Sequence, residues 1–384
     1  MNDIRVDIVH KWESNPPSLK NLLQGLRAVE DPVDIHVHSL AQKDYFFDSK
    51  LTSAIELADL SLQTLATFFE VRRKSDVLIV HKTLRRELLE YVLGINVAER
   101  LFLRCENVIY STYDADYVYF PKKARYLFER SALVYATSES IAEKASEFVS
   151  NERIRYIPPS VDTDFFNPNI SVSSDLKTDL LVLGWVGNPN VHGDNLRYLT
   201  DALQDVRFDD VMLRFLLGGE SLPPDILSQL EATGATLDLI EYVPWEEVPE
   251  VINSFDVGFA PLRDTEFNRG RSSEKVREYM ACGVPVIASD VGENPRLIPD
   301  ETGILIDDGN SWANAVSKLS DPTVREHMGE KARQHVKNTY ARSVIAEEIE
   351  AALHDVTADE AVNERPVINN DPGVETEREP EQGL

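Results

Sequence analysis

Residues 270–289 read GRSSEKVREYMACGVPVIAS: a polar turn, a short helix and a β-branched strand in sequence. Gly270 permits a tight turn. Ser272 suits an N-cap, which places the start of the helix at Ser273. Val276, Tyr279 and Met280 share one face for packing, while Glu274 and Glu278, four apart, project from another. Gly283 suits the helix C-terminus, and Pro285 is tolerated where a strand begins. A helix N-terminus presents free N–H groups and a partial positive charge, and Arg271 beside it makes the turn an anion site. A carboxylate one turn further in does not serve that anion. It accepts hydrogen bonds from hydroxyl groups further along the same ligand, and a phosphate joined to a polyol describes a nucleotide sugar. A solvated helix face with an ordinary cap also accounts for the spacing.

The same loop–helix–strand grammar runs outward in both directions. In the first half the expected strands are 4–9, 33–40, 76–81, 107–112, 132–137 and 153–158. Their near-continuous apolar runs suit strands buried on both faces of a parallel sheet. Segments 52–73 and 84–93 carry helical spacing. The alternation pauses at PPSVDTDFFNPNISVSSDLKTD (158–179), a linker rich in Pro, Ser, Asn and Asp. It resumes with strands at 180–187, 212–219, 236–243, 256–262, 284–289 and 303–306, and residues 323–354 read as helical. Two βα series joined by a linker predict an α/β chain of two Rossmann-like, doubly wound domains, with the cleft between them as the ligand site. The expected parts are 1–165, 166–340, a C-terminal helix at 341–355, and an acidic tail at 356–384. That tail has no aromatic residue and reads as disordered.

The chain has 384 residues and a formal net charge of −27, which repels phosphate backbones and excludes nucleic acid as a partner. The acid excess fits either a high-salt cytoplasm or an ordinary acidic cytosolic enzyme. Two cysteines, Cys105 and Cys282, in different halves argue against a disulfide framework and against a cysteine metal site, which suits a reducing cytosol. Met1–Arg5 leads directly into a strand-like run, with no visible signal peptide, and no apolar run reaches the roughly 18 residues of a membrane span. The expected location is the cytoplasm, with contact at the inner face of the membrane as an option. Basic clusters at 71–76, 84–87 and 121–126 fit either docking to anionic lipid or solvated faces.

EKVREYMACGVPVIASDVGENPRLI (274–298) resembles the donor-binding signature of retaining glycosyltransferases of family 4, also called group 1 glycosyltransferases. IPPSVDTDFF (157–166) is similar to their interdomain segment, LVLGWVGNPN (181–190) to the strand and glycine loop opening their C-terminal domain, and GILIDDGN (303–310) to a further motif. The likeness is strong over about 180–340 and weak over 1–150. It implies a GT-B fold: two Rossmann-like domains, the C-terminal one holding a nucleotide sugar and the N-terminal one shaping the acceptor site. The last helix in the family commonly returns to the first domain, which the 337–354 pattern allows.

The family's Glu-x7-Glu motif places its second Glu on Glu278, implying contact with the ribose hydroxyls. Its first falls on Gly270, a departure that leaves Glu266 and Glu274 as substitutes. The basic pair usual after the first strand of the C-terminal domain is also missing. Arg271 and Lys275 are the natural replacements, with Ser272 and Ser273 in the same turn. Gly187 and Asn188 stand where backbone and amide meet phosphate. Val243 stands at the base-contacting segment, with Trp245 near it as either a site or a core residue. In the first half, SDVLIVHK (75–82) resembles the family strand ending in a cleft-facing His, which makes His81 a catalytic candidate and Lys82 a ligand for an acceptor phosphate. In YSTYDADYVYFP (110–121), Asp114 is a second catalytic candidate and Asp116 an acceptor-side residue, or the two are a turn-forming pair.

The resemblance implies a retaining transferase moving a hexose from a nucleotide diphosphate sugar to a hydroxyl of a glycan or lipid-linked acceptor. No metal or other cofactor is expected, because a helix tip and basic side chains neutralise the leaving diphosphate and the nucleotide sugar is itself the substrate. Two alternatives stay open: a sugar-nucleotide epimerase or phosphorylase on the same fold, and a non-catalytic GT-B binding protein.

Overall fold

The computed structural model describes residues 3–11, 17–40, 50–84, 97–204, 208, 210–307 and 311–358. Most of the helical reading at 84–93, the basic cluster at 85–87, the end of the 303–310 motif and the tail beyond 358 lie outside the described residues.

The chain divides into two compact units. One takes the described residues of Met1–Pro159, Gly270–Ser272 and Ser343–Gly383; the other takes Ser160–Arg269 and Ser273–Arg342. The first carries β1 (Ile4–His10), β2 (Val33–Ser39), β3 (Val77–His81), β4 (Val108–Thr112), β5 (Leu133–Ala136) and β6 (Ile154–Tyr156), all parallel, in the order β2-β1-β3-β4-β5-β6. The second carries β7 (Leu181–Val186), β8 (Val211–Leu216), β9 (Thr236–Ile240), β10 (Val257–Ala260), β11 (Val286–Ser289) and β12 (Gly303–Ile306), also parallel, in the order β12-β11-β10-β7-β8-β9. Each sheet reverses its strand order once, at β1/β3 and at β7/β10. Ligands of open α/β sheets gather beyond the carboxyl ends of the strands at such points.

Every expected strand forms, because β3, β4, β5 and β11 are buried along their whole length and can be filled only by apolar runs. Four helices of the first unit bear on function: α1 (Pro17–Leu26), α2 (Lys50–Lys74), α3 (Asp116–Tyr119) and α4 (Glu139–Ser146). In the second, α5 (Pro189–Leu203) follows β7 and α6 (Glu274–Ala281) precedes β11. Tyr279 of α6 is fully buried, and its hydroxyl accepts a hydrogen bond from Val186 N at 2.8 Å, which pins α6 to the carboxyl end of β7. That approach needs Gly258: a Cβ there would lie 2.5 Å from the Tyr279 ring.

The helical reading of 323–354 resolves into two helices, α7 (Pro322–Thr339) and α8 (Arg342–Thr357). The break has a backbone cause. Val161 N donates to Tyr340 O at 2.9 Å, and Val161 forms a β-bridge with Ala341, so these groups are taken from the helix ladder. From Ser343 onward α8 clusters with the first unit, where Arg155 grips Asp355 at 2.7 Å. Among the described residues, no helix is long and apolar enough to cross a membrane.

Candidate active site

The turn before α6 differs from its expected form. Ser272 does not cap the helix. Ser273 is the N-cap, with a left-handed φ of 55°, and α6 begins one residue later than expected, at Glu274. A left-handed residue bends the chain sharply, so the first helical turn can start only after it. Ser273 makes no side-chain cap bond, and its Oγ is buried without a hydrogen-bond partner among the described residues. A strained non-glycine residue of this kind costs of order 1–3 kcal/mol and persists where the surroundings impose it.

On α6, Lys275 Nζ lies 2.9 Å from Glu278 Oε2 and 5.6 Å from the centroid of the Trp245 ring. Trp245 is 45% exposed, which removes it from the core, and it stacks on Phe165 at 5.7 Å. Glu278 is buried, with its carboxylate turned to Lys275. The lysine is thus held from two sides, by a carboxylate and by an aromatic face.

Gly187 and Asn188 follow β7. The Gly187 N–H donates to Leu216 O at 3.0 Å, and Asn188 caps α5 by accepting from Asn190 N at 2.8 Å, which leaves the Asn188 amide N–H groups as donors of this loop. Val243 is half-buried, three residues beyond the end of β9 at Ile240. The expected strand 236–243 therefore stops short, and Val243 belongs to the loop. Sequence reasoning missed an asparagine pair behind this site. Asn268 Nδ2 donates to Asn195 Oδ1 at 2.8 Å and to Arg263 O at 2.8 Å, and Asn195 Oδ1 also accepts from Arg263 N at 2.9 Å. These bonds fix the loop that leads into the 270–273 turn.

In the first unit the carboxyl edge of the sheet gathers His81, Lys82, Asp114 and Asp116. His81 has no exposed surface; Nε2 meets Ser18 Oγ at 3.1 Å and Nδ1 meets Ser111 Oγ at 3.2 Å. Burial, reinforced by Lys82, holds its pKa well below the usual histidine range. It is a neutral anchor for the strand end. Both ring nitrogens of this catalytic candidate lie within hydrogen-bond distance of serine hydroxyls. Lys82, with a left-handed φ of 60°, forms an ion pair with Asp114. Burial pushes the Asp114 carboxyl up, but Lys82 and Arg271 outweigh it and hold it below the usual carboxylate range. Asp114 keeps 29% of its side chain exposed, so it is open to a ligand. Asp116 is buried at the start of α3, accepts from Thr83 N at 3.0 Å, and is raised chiefly by burial.

Gly270 belongs to this edge. Its carbonyl accepts from Ser138 Oγ at 3.2 Å, and a Cβ on it would lie 2.6 Å from Ala115 Cβ and 3.2 Å from Ala115 Cα. The missing acid at 270 therefore has a steric cause: the position has no room for any side chain. Sequence reasoning also missed Lys11 and His10. The tetrapeptide Ile-Val-His-Lys occurs twice, at 8–11 and 79–82, and β1 and β3 pair Ile8 with Ile79 and Val9 with Val80. His10 therefore stands beside His81, and Lys11 beside Lys82, at the switch point of the sheet.

Residues 181–321 match the family described as Glycosyl transferases group 1. This stretch is similar to a group 1 glycosyltransferase domain. A D-inositol 3-phosphate glycosyltransferase of Paenarthrobacter aurescens is 28% identical over 217 residues, 51% of this chain and 51% of that protein. The chain spans about half the length of the curated relatives it matches. Among solved structures, Anabaena HepE in complex with UDP and glucose covers 91% of this chain and 99% of its own at 14% identity, with a TM-score of 0.68. Sucrose-phosphate synthase of Thermosynechococcus elongatus covers 91% and 98% at 16% identity, with a TM-score of 0.63. These likenesses give the chain the GT-B fold, and the stretch similar to group 1 glycosyltransferases carries β7–β12.

Proposed function

We propose that the chain is a retaining hexosyltransferase, moving a sugar from a nucleoside diphosphate sugar to a hydroxyl of a glycan or lipid-linked acceptor. The observation that carries the proposal is the turn at 270–275. There Arg271, a strained Ser273 with an unpartnered buried hydroxyl, the N-terminus of α6 and the clamped Lys275 form a socket for a doubly charged leaving group. Glu278 takes the ribose hydroxyls, the Asn188 amide a phosphate oxygen, and the loop at Val243 the base. The diphosphate is neutralised by these groups without a metal or other cofactor, and Ser272 lends a hydroxyl to the turn. The anomeric carbon–phosphate oxygen bond breaks, the acceptor oxygen bonds to the same face of the sugar, and its proton passes to the departing diphosphate. Asp114, held ionised, accepts a hydrogen bond from the acceptor hydroxyl and orients it, with Asp116 and Lys82 beside it.

The test is a thermal-shift screen of UDP- and GDP-sugars followed by assay of diphosphate release. A donor at about 100 times its Kd stabilises the fold by about 2.7 kcal/mol. Release only in the presence of an acceptor supports the transferase. Sugar conversion without acceptor points to an epimerase, and failure of every nucleotide to bind leaves a non-catalytic binding protein.

The reading extends to contact with an anionic membrane surface. On α2, Leu62 (66% exposed), Leu65 (37%) and Phe69 (65%) fall at helical spacing on one face, and exposed Arg72, Arg73 and Lys74 follow. A stripe of this kind beside a basic end suits an acyl boundary with anionic headgroups, each Lys or Arg contributing about 1 kcal/mol. The expected result is binding to phosphatidylserine vesicles, weakened about tenfold or more by Arg72→Glu with Arg73→Glu and also weakened by Phe69→Ala. Wild-type protein that stays in the supernatant with such vesicles removes this contact from the reading.

A further inference from the structure

We propose that Asp31, Glu350 and His354 form a binding site for a zinc-class divalent ion that staples the last helix, α8, to the segment between α1 and β2. All three residues belong to the first unit, and the inference is independent of the transferase reading.

Glu350 and His354 stand four apart on α8, so both side chains leave the same face of the helix. Asp31 meets them there. Asp31 N donates to Glu350 Oε1 at 2.9 Å, and His354 Nε2 lies 3.1 Å from Asp31 Oδ2. An imidazole nitrogen and one oxygen from each carboxylate all lie within 4.8 Å of one another. Zinc bonds of about 2.0–2.2 Å place tetrahedral ligand atoms about 3.4 Å apart, so the three groups close on an ion by side-chain rotation of about an ångström.

The backbones that carry the ligands are already pinned. Ile4 N donates to Pro32 O at 3.1 Å, which fixes the Asp31–Pro32 step against β1. Ile349, next to Glu350, packs so closely on Gly25 of α1 that a Cβ on the glycine would collide with it. Arg155 holds Asp355, the residue after His354, at 2.7 Å. A bond from His354 to Asp31 needs no third group, yet the Asp31 N–H draws in Glu350 as well. It takes one carboxylate oxygen and leaves Oε2 without a partner among the described residues, the way an outer-shell donor orients a metal ligand.

An imidazole with two carboxylates suits Zn²⁺, with water completing the tetrahedron, whereas Mg²⁺ and Ca²⁺ require six or more oxygens. The His354 side chain is 54% exposed and that of Asp31 35%, so the ion reaches the site from solvent. Asp31 and Glu350 are 319 positions apart, so the ion closes a long loop and restrains the unfolded chain.

The full-length chain, stripped with EDTA and freed of the chelator, is titrated with zinc chloride and separately with magnesium chloride, followed by Tm and by calorimetry. The expected result is a saturable rise in Tm with zinc and none with magnesium. His354→Gln and Glu350→Gln each weaken zinc binding about tenfold or more. Glu350→Gln keeps an oxygen to accept from Asp31 N, so its Tm in EDTA stays near that of the wild type. Where a variant does lose stability in EDTA, its calorimetric Kd for zinc decides. Co²⁺ bound in place of zinc gives a visible absorption band, which both variants lose. His36 and His38, beside Asp34 and Asp7, are the competing ligands of this unit, and a His36→Gln, His38→Gln double variant keeps the zinc response.

A wild type whose Tm ignores zinc, a response to magnesium equal to that with zinc, or unchanged zinc binding by His354→Gln and Glu350→Gln each overturns the proposal. Loss of the response in the double variant alone marks an adventitious ion only, and overturns it too.

Discussion

Replacing Arg271 by alanine lowers turnover of a nucleotide sugar by about a hundredfold to a thousandfold, the cost of removing one preorganised charge donor from a developing anion. Folding changes little by comparison, because Arg271 is only half-buried and stands at a turn. The loss falls on kcat more than on KM if Arg271 meets the diphosphate most strongly as it departs. Arg271→Lys recovers part of the rate, since it restores charge without the planar fork that grips two oxygens at once. The variant has one secondary effect. Arg271 is one of the two cations that hold the Asp114 carboxyl down, and Lys82 remains to do so when it is gone. A pH–rate profile of Arg271→Ala separates the two roles. If the loss is uniform across pH, it belongs to the leaving group; if it is confined to low pH, it belongs to Asp114. Turnover at the wild-type rate would remove the socket from the mechanism.

The architecture was largely legible in the residues because parallel strands buried on both faces admit little but apolar side chains. Val286–Ser289 and Val77–His81 show themselves by composition alone. Local conformation at the site was less legible. Ser272 and Ser273 have equal capping chemistry, and only the left-handed backbone at Ser273, set by what packs around the turn, decides which of them ends the loop. His81 reads as a ligand-facing group because it ends a strand. The serines that occupy its two nitrogens come from positions 18 and 111, which no local pattern links to it. The lysine pair was written in the sequence as a repeated tetrapeptide, but its meaning depends on β1 and β3 being neighbours, a fact of strand order that a linear reading does not contain. The glycine at 270 was visible as a departure, while its cause, the close approach of Ala115, is tertiary.

That close approach yields the second large effect. Gly270→Ala places a methyl group 2.6 Å from Ala115 Cβ, a distance at which the backbone of one segment has to move. Overpacking of this kind costs typically 1–3 kcal/mol, so a measurable fall in Tm is expected. The functional cost is larger, because the segment that moves carries Arg271 and leads directly into Ser273. A displacement of about 1 Å at such a position is enough to lower turnover about a hundredfold. Gly270→Glu, which restores the acid expected from the family pattern, is no rescue. It adds a carboxylate beside Asp114 to the same clash, and it is expected to be the less active of the two. The decisive comparison is a double-mutant cycle with Ala115→Gly. That change removes the methyl group in the way, leaving Ala115 Cα and N at 3.2 Å, so the double variant recovers most of the stability and part of the rate. A Gly270→Ala variant as stable and as active as wild type, or a cycle with no coupling between the two positions, would show that the turn does not depend on this contact, and the missing acid would then need another explanation.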